Sequence, residues 1–379
     1  MRPGLTLLST AELHVQRARE WATCEAGAGH VVDPRIAPLL QYGHSDTSYA
    51  TLQEGLEYFF ANPGSGYVAF KCVGFPFGMK IVLGDPVADQ PGLPDLLSAF
   101  HGLRDGAPAI CYLQCHAATA TLLHDRYGFY ANQLGVETSI DPQKFSLAGN
   151  RMADLRHFAN ICSRAGVEAL EVTGQAEQYF PAMRAISQQW ISSKTVKAEM
   201  SLLARRMVLA REMDVRYFVA LRRGEPIAFV IYDPLYDQGS IIGYQAAILR
   251  ARPDSPKGTL DCINLAMIAS LKEEQKNRFS LGLTPMAMRG CANDMASVAG
   301  RALLAKTGDT CNDLYEFKGL DFHKRRYRGE ETPVFVCSRH QDLLLDLLAT
   351  FLAVGVISRH NSALLKPRNI LALLNLLRP

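Results

Sequence analysis

Two stretches of the chain alternate apolar and polar residues at the short period of strands and then double back. GYVAFKCVGFPFGMKIVLGDPV (66–87) holds two β-rich runs around a Gly/Pro turn, the pattern of an antiparallel hairpin. RYFVALRRGEPIAFVIYDPL (216–235) repeats that layout, from an aromatic start through Val-Ala and a Gly-x-Pro turn to a closing Asp-Pro. Tyr67 aligns with Tyr217 and Asp85-Pro86 with Asp233-Pro234, so the pattern predicts a duplicated domain at an offset of about 150 residues.

A similar order of elements follows each hairpin. The spacing predicts helices at 93–103 and 117–126 with strands at 109–115 and around 130–140. After the second hairpin it predicts strands at 240–247, 278–283 and 333–337, and helices at 256–273 and 294–306. Three amphipathic runs, 151–166, 178–194 and 198–213, predict a helical bridge between the copies. Mixed strands interleaved with helices imply an α/β or α+β mixed sheet covered by helices. The expected division is an N-terminal helical lead (1–45), a first lobe (46–172), a second, catalytic lobe (173–338) and a helical tail (339–379).

Length supports the division, because 379 residues exceed a single core of ordinary size. With 20% charged and 48% hydrophobic residues the chain reads as globular throughout. A net charge of +3 is compatible with a transient polyanion partner and is below that of a dedicated nucleic-acid scaffold. Nine scattered cysteines, mostly within apolar runs, read as reduced thiols. Cys111 and Cys115 precede His116, but no second Cys/His pair has ligand spacing, so no structural metal is expected. The N-terminus MRPGLTLLSTAELHVQ lacks the apolar core of a secretory signal, which makes the cytoplasm the expected location. LLATFLAVGVI (347–357) is too short to span a bilayer. Together with NILALLNLL (369–377) it predicts short apolar helices that cover the protein's own body or lie peripherally at a membrane face.

Eight motifs occur in order: LGDPV (83–87), YGF (127–129), FSLAGNRMADLRHFANICSRAG (145–166), AISQQW (185–190), GEPIAF (224–229), RARPDSPKGTLD (250–261), LGLTP (281–285) and LYEFKGLDFHKRRY (314–327). Through them the chain resembles the C-terminal catalytic domain of bacterial phosphatidylglycerol lysyl- and alanyl-transferases, over roughly residues 50–338. The resemblance implies two tandem GNAT-like lobes and transfer of an amino acid from aminoacyl-tRNA, a co-substrate, with no other cofactor. In the lipid-modifying members the acceptor is the glycerol hydroxyl of phosphatidylglycerol, and a multi-spanning membrane region precedes the catalytic part. No such stretch precedes the match in this sequence, which leaves an anionic lipid and a small metabolite or peptide open as acceptor.

Such a transfer needs a deprotonated acceptor, a stabilised oxyanion and aligned substrates, and no covalent enzyme intermediate. No nucleophile-elbow G-x-S-x-G is present. The run ILRARPDSPKGTLDCINLAMI (248–268) supplies cations: Asp254 or Ser255 suits a helix cap and Pro256 the first turn, placing Lys257 and free N–H groups for an anion. Arg250 and Arg252, two apart on extended backbone, are expected to face one side. A solvated loop explains the same residues, but the resemblance matches Arg250 to the family's active-site arginine. The family's acidic residue three positions earlier is Ala247 here. Gln245, Tyr244, Asp261 or Glu316 is then expected to take over the acceptor contact, unless the acceptor is an amine that needs less help from a base.

The basic run HKRRYR (323–328) reads as a solvated helix end or as a binder of phosphate and the tRNA acceptor end. By resemblance Lys318 and Lys324 lie near the cleft, with Arg325 beside them. Tyr327 fits either a stack on the terminal adenine or a buried aromatic, and Asp261 either helix-dipole stabilisation or the chemistry itself. An acyl-CoA-dependent GNAT enzyme is the rival reading, against which neither half shows a convincing Q/R-x-x-G-x-G/A loop. A catalytically silent binding protein of the same fold is the other, motivated by Ala247 and opposed by Arg250.

Overall fold

The apolar runs that read as strands become the middle of one mixed sheet. The computed structural model describes residues 33–355 except 63, 75, 104–108, 196–198, 290–292 and 311–316. Its strands are β1 (Glu57–Phe59), β2 (Gly66–Val73), β3 (Met79–Leu83), β4 (Val87–Ala88), β5 (Ala109–Cys115), β6 (Tyr130–Ile140), β7 (Val167–Glu171), β8 (Arg216–Arg222), β9 (Glu225–Asp237), β10 (Ser240–Ala251), β11 (Arg278–Pro285) and β12 (Glu330–Ser338). They lie in the order β1-β2-β3-β5-β12-β6-β11-β10-β9-β8-β7, with β4 attached to β2. Both expected hairpins form, β2 with β3 and β8 with β9. An uninterrupted apolar strand needs cover on both faces. Accordingly every residue of β3 and residues 227–236 of β9 are buried.

The helices are α1 (Ile36–Tyr42), α2 (Leu93–His101), α3 (Ala117–Tyr127), α4 (Ala153–Arg164), α5 (Ala176–Ser193), α6 (Thr259–Glu273), α7 (Val298–Thr310), α8 (Phe317–Arg325) and α9 (Leu344–Val354). The strand period of two sorts their partners. Tyr217, Val219, Phe229 and Ile231 pack with Met183 and Ile186 of α5. Phe218, Ala220, Val230 and Tyr232, on the other face, pack with Ile263, Met267 and Leu271 of α6. Thus α5 and α6 cover opposite faces of the same strands.

Two expectations need correction. The cut at residues 172/173 is crossed in both directions, since β7 pairs with β8, and β12 inserts between β5 and β6. Hydrogen bonding across the sheet, which sequence proximity does not encode, ties the two halves together. The run 198–213 is not helical among its described residues. Its backbone is claimed by tertiary bonds instead: Gln53 binds both the N–H and the carbonyl of Leu202, at 2.8 and 3.1 Å. Arg205 is drawn into the interior by Asp233 and Glu212.

Beyond β12, α9 lies against β2 and β3, burying Leu347, Ala349, Ala353 and Val354 among Tyr67, Ala69 and Ile81. Each large aliphatic so buried is worth ~1.5–3 kcal/mol. The apolar run 369–377 and the N-terminal residues 1–32 lie outside the described residues. No helix among the described residues is long and apolar enough to cross a membrane. Cys111, Cys115, Cys162 and Cys337 are buried free thiols, and Cys72 is exposed.

Candidate functional site

β10 and β11 run parallel, yet they pair only through Gly243, Tyr244 and Gln245 against Arg278, Phe279 and Ser280. Beyond that point β10 stays with β9 as far as Ala251 and β11 stays with β6 as far as Pro285. The sheet splits between two adjacent strands, at their C-terminal ends, where open α/β sheets admit ligands. β11 slips register against β6 between Ser280 and Leu283, and Gly282 in that slip has φ 72°. A side chain there would be strained, and its Cβ would lie 2.9 Å from Nε2 of Gln245 and 3.9 Å from Nζ of Lys324. Glycine therefore leaves room for Gln245 and Lys324 to converge on the split.

Lys324 reaches the split from α8 with its side chain buried, and its Nζ donates to the carbonyl of Leu283 at 2.6 Å. Burial pushes its ammonium down to about 7, even though Asp46, Glu137 and Asp321 favour the charged form. Lowering an ammonium in this way favours its neutral amine, the form that accepts a proton.

A buried polar chain lines the region behind it. Asp46, from the loop after α1, accepts hydrogen bonds from Ser280 and from Arg278, the latter at 3.3 Å. Burial and then Glu137 raise its carboxyl to about 6. Glu137 of β6 accepts from Nε2 of Gln114 at 2.7 Å and pairs with Nε2 of His116 at 2.9 Å. His116 pairs through Nδ1 with Asp85 at 2.6 Å. Burial alone would lower this imidazole, but hydrogen bonds to Asp85 and Glu137 raise it to about 11. Asp85 is held below the ordinary carboxylate range by His116 against the opposing effect of burial.

Of the residues singled out in the sequence, Gln245 and Lys324 meet at this split, and the others are distributed elsewhere. Arg250 stacks on Trp190 of α5, 3.7 Å above the ring, and Arg252 turns back into a fork with Asp254 at 2.9 and 3.0 Å. They do not face one side, because the strand ends at Ala251 and Arg252 belongs to the turn. The expected capping also differs. Ser255 donates to the carbonyl of Ile227, Lys257 is exposed, and α6 starts after Gly258, whose Cβ position would lie 2.6 Å from that of Phe158. The close approach of α4 covers the helix start that seemed free for an anion.

Asp261 is buried, accepting from Tyr327 at 2.8 Å and pairing with Arg326 at 3.1 Å. Burial raises its carboxyl, and Arg326 and Tyr327 oppose that rise. Tyr327 is buried too, and Asn264 links its hydroxyl to Tyr232. This network ties α6 to the end of α8 and leaves the tyrosine ring no free face for a base. Lys318 and Arg325 are exposed on α8, Lys318 standing 3.7 Å from Asp309. Glu316 lies outside the described residues.

Sequence reasoning did not single out Asp46, Gln114, Glu137 or Trp190. His116 drew notice beside Cys111 and Cys115, yet both thiols are buried in β5 while the imidazole turns to carboxylates. The duplicated Asp-Pro was the available signal: Asp85 pairs with His116, and its counterpart Asp233 pairs with Arg205 at 2.6 Å.

A mixed sheet with helices on both faces, its parallel strands β10 and β11 parting beside a buried amine, defines a mixed α/β protein. The family described as phosphatidylglycerol lysyltransferase, C-terminal, matches residues 36–338, and the chain belongs to that family. Phosphatidylglycerol lysyltransferase of Bacillus subtilis (strain 168) is 26% identical over 306 residues, covering 80% of this chain and 34% of the relative. That of Staphylococcus aureus (strain COL) is 25% identical over 325 residues, covering 83% and 36%. The chain thus spans about a third of the length of these relatives. Among solved structures, the C-terminal domain of a lysylphosphatidylglycerol synthetase from Agrobacterium fabrum superposes with TM-score 0.70 at 19% identity, covering 85% of this chain and 97% of that one. L-PGS from Bacillus licheniformis gives 0.68 at 21%, covering 88% and 99%. These two share the fold.

Proposed function

We propose that the protein is an aminoacyltransferase that moves an amino acid from aminoacyl-tRNA to a hydroxyl or amine acceptor in the split between β10 and β11. The observation that carries this reading is geometric: the buried amine of Lys324 and Nε2 of Gln245 converge beside the side-chain-free Gly282, and burial lowers that ammonium toward 7. Family membership supplies the reaction class, and the relatives named phosphatidylglycerol lysyltransferase make a phosphatidylglycerol-type lipid the first acceptor to test. The Asp-Pro hairpin repeat and the two sets of parallel neighbours, β3 with β5 and β10 with β11, support a tandem GNAT-like ancestry.

In this reading the neutral Lys324 amine takes the proton from the acceptor O–H or N–H as that atom attacks the ester carbonyl. The tetrahedral intermediate collapses, the C–O bond to the terminal ribose breaks, and the resulting Lys324 ammonium returns its proton to the departing ribose oxygen. Gln245 donates from Nε2 to the carbonyl oxygen as charge develops there. Ala247 packs in the apolar cluster on the α5 face, so no carboxylate stands at that position. A base on the opposite side of the split removes the need for one.

The test incubates the purified chain with radiolabelled aminoacyl-tRNAs and either phosphatidylglycerol liposomes or a metabolite extract. Label should reach an acceptor, and Lys324→Met should abolish the transfer while a folded far-UV spectrum is retained. Absence of transfer and of tRNA deacylation with the full amino-acid set would overturn the reading. Label confined to aqueous products would move the acceptor from lipid to a soluble hydroxyl or amine.

A further inference from the structure

Leu281 and Gly282, in the register slip of β11, have no partner residue on β6, and the pairing with β10 has already ended at Ser280. Gly282 is buried, and a buried backbone N–H released from a ladder needs another acceptor. It donates to Oγ of Ser280 at 2.9 Å, and the same hydroxyl donates to Asp46. A hydroxyl carries one proton, so committing it to the carboxylate turns a lone pair toward Gly282. The carbonyl of Thr138, 3.5 Å from Oγ of Ser280, is the weaker acceptor. Asp46 reaches this point from a loop pinned on three sides. The carbonyl of Gly43 accepts from the N–H of Tyr236 in β9 at 3.0 Å, and that of His44 accepts from Arg278 of β11 at 2.7 Å. A Cβ on Gly84, directly after β3, would collide with Oγ1 of Thr47. The Asp46 side chain so delivered is fully buried.

We propose that Asp46 is a positioning residue for the transfer: through Ser280 it clamps the Gly282 bulge that leaves room in the split, and its carboxylate supplies a negative charge to Lys324. The proposal rests on the transferase reading for the role of that amine. Three carboxylates favour the Lys324 ammonium, Asp46 first, then Glu137 of β6 and Asp321 of its own helix. Glu137 pairs with His116 at 2.9 Å and Asp321 with Arg289 at 2.7 Å. Asp46 itself faces Glu137, Arg278 and His116, and its pairing with Arg278 is the longest of the three, at 3.3 Å. More of its charge is therefore left to act on the amine. One side chain from outside the second half of the chain thus sets both the backbone of the split and the proton affinity of its base.

The experiment separates charge from clamp in the whole chain. Asp46→Asn keeps an oxygen for Ser280 but removes the charge, whereas Asp46→Ala removes both. The Lys324 resonance, followed over pH in lysine-labelled protein and assigned by its loss in Lys324→Met, should titrate about 0.5 pH unit or more lower in Asp46→Asn, since the ammonium has lost a favourable neighbour. The acid limb of kcat/KM should move down with it, a shift that a merely structural role would not produce. Amide exchange of Gly282 should stay close to that of the parent in Asp46→Asn and accelerate about tenfold or more in Asp46→Ala and in Ser280→Ala. An unchanged Lys324 midpoint in folded Asp46→Asn would overturn the proposal, as would parent-like Gly282 exchange in Asp46→Ala. A parent that transfers no amino acid, with the midpoint and exchange changes as expected, would leave the clamp and the charge standing and remove the transferase reading instead.

Discussion

The guanidinium of Arg250 lies 3.7 Å above the ring of Trp190, on the face of the sheet covered by α5, while Asp261 is buried with Arg326 on the face covered by α6. The two residues expected to share a site are therefore separated by the sheet itself. Arg250 also stands 4.0 Å from Glu199, an opposite charge beside the stack.

That stack can be read directly. The sequence has two tryptophans, Trp21 and Trp190, and in a Trp21→Phe background the emission comes from Trp190 alone. Arg250→Ala should shift that emission and lower stability in urea by ~1 kcal/mol, the scale of a partly buried cation–π pair. Unchanged emission would show that the stack is not populated in solution.

Lys324 predicts the acid limb of the rate profile. With its ammonium near 7, transfer measured as kcat/KM should rise with pH through that value and level off above it. Lys324→Arg keeps a charge that does not titrate in this range, and should lose both the activity and the limb. A limb that survives in Lys324→Arg would assign it to another group.

The hairpins, the helices flanking them and the run of strands were legible because each is a local pattern whose period the chain displays. Lys324 and Gln245 stood out by motif and position, and the fold brings the two side chains to either side of Gly282. What stayed hidden was long-range: Asp46, Gln114 and Glu137 carry no local signature, and only the tertiary fold brings them together with His116 and with Ser280 of β11. The insertion of β12 between β5 and β6 was hidden for the same reason, since a duplicated pattern suggests separable copies and cannot show a strand placed across them. The misread helix at 198–213 shows the competing physics. Its spacing is helical, but the bonds of Gln53 to Leu202 and of Arg205 to Asp233 and Glu212 outweigh a propensity of tenths of a kcal/mol per residue.

Arg205 should accordingly be among the most sensitive positions. Its guanidinium and the Asp233 carboxylate are both almost fully buried, with contacts of 2.6 to 2.9 Å. Arg205→Met leaves that carboxylate without its counter-charge and should cost ~3–5 kcal/mol in a denaturant titration. Restoring neutrality with Asp233→Asn in the same chain should recover a large part of the loss. Additive losses in the double variant would mean that the pair is not coupled.

His116 and Lys324 should impose opposite pH dependences on stability across nearly the same window. His116 is raised from its ordinary 6.5 to about 11, so the folded protein holds a proton there that the unfolded chain releases. Its contribution is full below ~6.5 and is lost as pH rises toward 11. Lys324 is lowered from 10.5 to about 7, so the unfolded chain holds the extra proton; its burial penalty is full below ~7 and is relieved as pH rises toward 10.5. In the parent the two slopes largely cancel. Urea titrations from pH 7 to 10 should then show a shallow profile for the parent, stability falling with pH in Lys324→Met and rising with pH in His116→Gln. Parallel profiles for all three proteins would mean that neither group titrates as its burial and partners require.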